Sequence, residues 1–238
     1  MLISHIHRFI FIKLSKVGGT STEAYFQPAC QPEGLPVTHE TRAYEGPEGA
    51  VAPRGRYDTG EDDLDLTEHM MPRQIKERFG TGLWNSYFKF TNVRNPFTAE
   101  VSRAKQRARA QGRALETLEA VMAEIRKNFE KRPNRRHFLV SNGACNIEAV
   151  IRFEALEEDV HSVADRIGFR TTEPLPHMNQ RRALAEGANM AEFWANDLRD
   201  IVVEAHRPYF ETFGYSTDPK DAHLVPPPPK YVSQKVAS

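Results

Sequence analysis

The sequence predicts an α/β fold, with helices packed around a mainly parallel central sheet. Short apolar runs with strand character alternate along the chain with longer stretches of helical periodicity. The first of those runs opens into a loop with two adjacent glycines and then into a helix, the order expected of a βα unit. The chain has 238 residues, 39% hydrophobic and 27% charged, which suits one folded domain over 1–225 with a real core.

Phe9 to Leu14 reads as a buried strand, followed by the loop Ser15 to Ser21 and a helix through Thr22 to Phe26. From Gln27 to about Asp65 the chain is rich in Pro, Gly and charge and lacks periodicity. A loop of that length is usually a functional lid or disordered. Met71 to Gly80 carries Pro at a first-turn position and Gly at a stop, the marks of a short helix. Tyr87 to Val93 is a second strand, ended by Arg94-Asn95-Pro96. Leu115, Leu118, Met122, Ile125 and Phe129 recur at helical spacing, so about Thr98 to Lys131 is helix, broken near Gly112.

His137 to Ser141 and Ala149 to Phe153 are further short strands. Val160, Val163, Ala164 and Ile167 mark a helix stopped by Gly168. Asn189 and Glu192 resemble a capping arrangement before a long final helix through Trp194, Leu198, Ile201 and Ala205. The tail 226–238 opens on four prolines and reads as extended or disordered.

Composition excludes several classes. Lys plus Arg and Asp plus Glu are 32 each, so net charge points to neither nucleic acid nor an anionic membrane surface. Two distant cysteines, Cys30 and Cys145, make neither a disulfide framework nor a closely spaced metal site, and a reducing, cytoplasmic setting is expected. No apolar run approaches the ~20 residues of a membrane span, and the first run reads as a strand rather than a signal peptide.

Two segments carry chemistry. In the loop before the first helix, Gly18 and Gly19 let the backbone approach a ligand closely. Thr20 and Ser21 open a helix whose N–H groups and dipole favour an anion, and Lys16 adds charge. The bland alternative is an ordinary βα turn. A kinase-like Walker loop is disfavoured, because there the Lys directly precedes the Ser or Thr, whereas here it precedes the glycines. In the second segment, Arg94 ends a strand and Ser102 follows it by eight residues, about two turns into a helix. A guanidinium fork with a nearby hydroxyl suits a phosphate; the bland alternative is an Arg that caps carbonyls.

Together these segments resemble the sulfotransferases that use 3′-phosphoadenosine 5′-phosphosulfate (PAPS). Lys16-Val17-Gly18-Gly19-Thr20-Ser21 is similar to that family's 5′-phosphosulfate loop, and Arg94-Asn95-Pro96 with Ser102 to its 3′-phosphate motif. Phe153-Glu154-Ala155-Leu156 and Tyr209 to Tyr215 resemble later stretches of the carbohydrate-type branch, including bacterial members. The resemblance implies a P-loop-type three-layer sandwich and transfer of a sulfuryl group, without a metal, to an acceptor hydroxyl on a carbohydrate or glycoconjugate. It implies that Lys16 stabilises the leaving phosphate oxygen, that residues 17–21 bind the 5′ end, and that Arg94 and Ser102 hold the 3′-phosphate. Arg182 falls where the family places a further basic contact. A general base is also needed. His69, between the two motifs and just before a short helix, is the first candidate, with His39 and Glu40 behind it. A non-catalytic protein that binds the product nucleotide PAP on the same fold is the competing reading, and oligomeric state is left open. The basic residues Arg103, Lys105, Arg107, Arg109 and Arg113 read as a solvated helix face or a guide for anions.

Overall fold

The computed structural model describes residues 1–58, 64–131, 140–141, 144–145, 147–176, 178, 194 and 197–227. Two compact units are present, one of Met1–Val93 and Ile147–Gln180, the other of Arg94–Asn146 and Arg181–Tyr231. The described residues form an α/β protein with a six-stranded mixed sheet and eight α-helices.

The sheet belongs to the first unit. In chain order its strands are β1 (Leu2–Ser4), β2 (Phe9–Ile12), β3 (Tyr44–Gly46), β4 (Gly49–Val51), β5 (Phe88–Val93) and β8 (Ala149–Arg152), arranged β3-β4-β1-β2-β5-β8. β2, β5 and β8 run parallel, with Phe11 beside Phe90 and Thr91 beside Val150. The sheet differs here from the mainly parallel one expected: β1, β4 and β3 extend it antiparallel. Each of these three strands has only three residues, too few to show a period of two in sequence. Two of them lie within 27–65, the stretch expected to be a loop. At Gly49 a Cβ would lie 1.9 Å from the Ile3 carbonyl oxygen, so only glycine lets β4 close on β1.

All four residues of β2 are fully buried, as its unbroken apolar run requires of a strand covered on both faces. On one face Phe9, Phe11 and Phe90 meet Tyr25 and Phe26 of α1 (Gly19–Phe26) and Val160, Val163 and Ala164 of α6 (Leu156–Arg166). The Phe26 and Phe90 rings sit 5.1 Å apart at a steep angle. α2 (Pro72–Phe79) and α3 (Thr81–Ser86) follow one another around Gly80. Lys89 Nζ donates to the Trp84 carbonyl of α3 at 3.0 Å and lies 5.6 Å from the centre of its ring.

The second unit is mainly helical. α4 (Pro96–Ala110) starts with Pro96 in its first turn and with Asn95 Oδ1 accepting the Phe97 N–H at 3.0 Å. α5 (Leu118–Lys131) follows after a break at Gly112, whose φ is +69°. β6 (Val140–Ser141) and β7 (Ala144–Cys145) pair antiparallel. α7 (Asp197–Ala205) and α8 (Arg207–Phe213) divide at His206, whose Nε2 lies 3.0 Å from the buried Glu100. The capping residues expected ahead of the last helix, Asn189 and Glu192, and His137 lie outside the described residues, as does most of the proline tail. Phe97 packs on Trp194 and Phe210 at 5.0 and 5.5 Å. No helix among the described residues is long and apolar enough to cross a membrane.

Candidate functional site

The loop after β2 is built by backbone geometry. Lys16 has a φ of +67° and Gly18 one of +86°, so the chain reverses twice before α1 begins at Gly19. A Cβ on Gly18 would lie 2.8 Å from Cδ2 of Phe153, and one on Gly19 would lie 3.1 Å from Cγ of Lys13. Gly18 is therefore required for both its left-handed backbone and its place under the Phe153 ring, while Gly19 permits close approach to the strand end. Gly18 is the N-cap of α1 and provides no side-chain cap, and no acidic residue occupies the first turn. The first N–H groups of α1 are thus not taken up by a capping side chain, and the helix dipole is uncompensated by acid there. This geometry suits an anion, and the half-buried Lys16 and Thr20 stand at its rim.

Two of the expected contributors have side chains placed elsewhere. Val17 is buried. The Ser21 hydroxyl is occupied by the backbone of Met178, from whose N–H it accepts at 3.1 Å and to whose carbonyl it donates at 3.3 Å. In this structure the single donor of the Ser21 hydroxyl is directed at the Met178 carbonyl.

Beneath the loop is a charge network that the sequence reading missed. Glu23 of α1 is fully buried and faces Lys13 Nζ at 2.6 Å, Arg54 Nη1 at 2.7 Å and the Met1 ammonium at 2.9 Å. Burial alone would push its carboxyl up, but the three cations override this and hold it at about 2. Lys13, 2% exposed, also pairs with Glu68. Arg54 donates to Gln27 Oε1 at 3.0 Å, to Thr41 Oγ1 at 2.8 Å and to the Thr38 carbonyl. The stretch 27–58 is thereby fastened to α1. The available sequence signal was a lysine closing an apolar strand and a glutamate that is the one charged residue of its helix.

His69 joins this assembly. Its Nδ1 lies 3.0 Å from the Lys13 carbonyl, three residues before Lys16, and a carbonyl can only accept. Nδ1 therefore carries a proton, and it is Nε2 that would be the acceptor of the ring's neutral form. The structure thus brings His69 to the start of the glycine loop. Of the two other base candidates, the Glu40 carboxylate pairs with Arg56 at 2.8 Å, whereas His39 is exposed and it is its backbone carbonyl that accepts from Arg54 Nε at 3.3 Å.

In the second unit Arg94, Thr98 and Ser102 fall at successive four-residue steps and share one face of the α4 turn. Arg94 Nε donates to Thr98 Oγ1 at 2.9 Å, and that hydroxyl donates to the Asn95 carbonyl at 3.1 Å. Arg94 and Ser102 are each half-buried. Arg182 lies outside the described residues. Two of the basic residues over 103–113 are matched by acids of the same unit: Arg103 of α4 pairs with Glu100, and Arg113, just past the helix, with Glu124, at 2.9 and 2.8 Å. Among the described residues no three His, Cys, Asp or Glu side chains are grouped to hold a metal ion. In comparisons with known proteins, no family model, no curated protein and no solved structure matches this chain.

Proposed function

We propose that this chain is a PAPS-dependent O-sulfotransferase that moves the sulfuryl group to a hydroxyl of a carbohydrate or glycoconjugate, on a P-loop-type sandwich fold. The observation that carries the proposal is the loop Lys16 to Ser21: two left-handed residues, a glycine at 18 that a Cβ could not replace without moving Phe153, and a closely packed glycine at 19, leading into a helix with no side-chain cap, with His69 hydrogen-bonded to the same strand end. In this reading the N–H groups of residues 18–21 bind the 5′-phosphosulfate, and Lys16 stabilises charge on the leaving phosphate oxygen. Arg94 and Ser102 hold the 3′-phosphate. His69 Nε2 takes the acceptor proton as the hydroxyl oxygen attacks sulfur and the bond from sulfur to the bridging phosphate oxygen breaks.

The test has two arms. PAP should raise the melting temperature by mass action more than AMP or ATP at equal concentration. Incubation with PAPS and a panel of saccharides should release PAP and yield a sulfated acceptor. Equal thermal shifts for PAP and AMP would remove the 3′-phosphate assignment. Nucleotide binding without product across the panel would favour the non-catalytic, PAP-binding reading.

A further inference from the structure

Lys13 is the residue through which the loop and the His69 segment are joined, and it does so twice. Its carbonyl accepts the His69 Nδ1 proton at 3.0 Å. Its ammonium, buried and held at 2.6 Å by Glu23 of α1, also grips the carboxylate of Glu68, the residue next to His69. A third contact comes from outside the pair: the Glu68 N–H donates to Asp58 Oδ1 at 3.0 Å. The segment containing His69 is in a turn and His69 itself is exposed, so neither regular structure nor burial fixes its ring. These contacts act together with the Met1 ammonium, which donates to the Glu68 carbonyl at 3.0 Å, and with the buried neighbour Met70.

We propose that Lys13 and Glu68 are positioning residues for His69: the ammonium-carboxylate contact holds residues 68–69 against the strand end, which keeps the imidazole Nδ1–H on the Lys13 carbonyl and Nε2 available as acceptor. The inference rests on the reading of His69 as the base, but its structural half does not need that reading. An exposed histidine with no such partner has no fixed tautomer; a ring pinned at Nδ1 has one. The link through Glu68 sets the geometry, and the buried Glu23 keeps Lys13 from leaving.

The first experiment is long-range ¹H–¹⁵N spectroscopy of the histidine rings in the full chain, with His69 assigned by its loss in His69→Ala. The wild type is expected to show His69 as the Nδ1–H tautomer when neutral. Glu68→Ala should remove that bias, and Glu68→Gln, which keeps an acceptor for Lys13, should restore most of it. An unchanged tautomer in Glu68→Ala, in a protein whose melting temperature shows it folded, overturns the proposal.

The second experiment is a double-mutant cycle on turnover with PAPS. Glu68→Ala is expected to lower kcat by ~10–100-fold with the KM for PAPS and the PAP thermal shift unchanged, and to cost nothing further in a His69→Ala background. A full additional loss in that background would show that Glu68 acts independently of His69 and would overturn the positioning role. Near-normal turnover of His69→Ala alone, or no sulfuryl transfer by the wild type, would instead refute the proposed function, and the tautomer measurement would still decide whether Glu68 fixes the ring.

Discussion

A side chain at position 18 would meet two obstacles at once. The backbone there is left-handed, which costs an L-residue about 1–2 kcal/mol, and the Phe153 ring occupies the space of a Cβ. Gly168 has a similar φ of +67° but nothing within 4 Å of a Cβ. Gly18→Ala should therefore destabilise the protein more than Gly168→Ala in urea titrations, and it alone should weaken PAP binding. Equal losses would mean that the Phe153 ring simply moves aside. The need for glycine was legible in the sequence from its place between a strand and a helix. The ring above it was not, because Phe153 is distant in sequence and reaches the loop only after β8 has joined the sheet.

At the scale of elements, α4 offers the sharpest test. Arg94 already donates from its Nε to Thr98 in the first turns of α4, which fixes the guanidinium against that helix. Arg94→Ala should leave the melting temperature of the nucleotide-free protein within a few degrees and weaken PAP by ~2–4 kcal/mol, the range for loss of a charge-assisted, fork-like contact. AMP binding should change little, since it lacks the 3′-phosphate. A mutant that loses its fold while its native fraction still prefers PAP to AMP would make Arg94 structural. Elements with strong punctuation were readable in advance: Pro72 and Gly80 bound α2, and Gly112 falls in the break between α4 and α5. The strands β1, β3 and β4 were not, because three residues carry no period. The Lys13, Glu23, Arg54 and Glu68 network was hidden for another reason: its partners stand 10, 31 and 55 positions apart and meet only through the folded sheet.

For the molecule as a whole, that network sets a pH dependence. Glu23 is held at about 2 in the folded state, below the ~4.3 of an unfolded glutamate. Its contribution is therefore fully present above about pH 4.5 and is lost progressively as pH falls toward 2. Glu23→Gln should remove this share of the acid sensitivity and lower stability at pH 7 by ~3–5 kcal/mol, because Arg54 and the Met1 ammonium would stay buried without their carboxylate and Lys13 would keep only Glu68. Urea midpoints measured from pH 7 down to pH 2.5 check both statements. A mutant with the wild-type acid slope would show that other carboxylates govern it.

The antiparallel half of the sheet also bears on how copies of the chain meet in solution. With 32 basic and 32 acidic residues, the protein has no net self-repulsion near neutral pH, so protection against association has to be local. The outer strand β3 provides some of it. It offers an incoming strand only Tyr44, Glu45 and Gly46, and the Glu45 carboxylate is engaged by Arg78 at 2.5 Å. A short edge that carries a paired charge is a poor template for a second sheet to grow on. The hairpin that makes the sheet mixed thus also closes the flank of β1 and β2, the most apolar strands of the sheet, against aggregation.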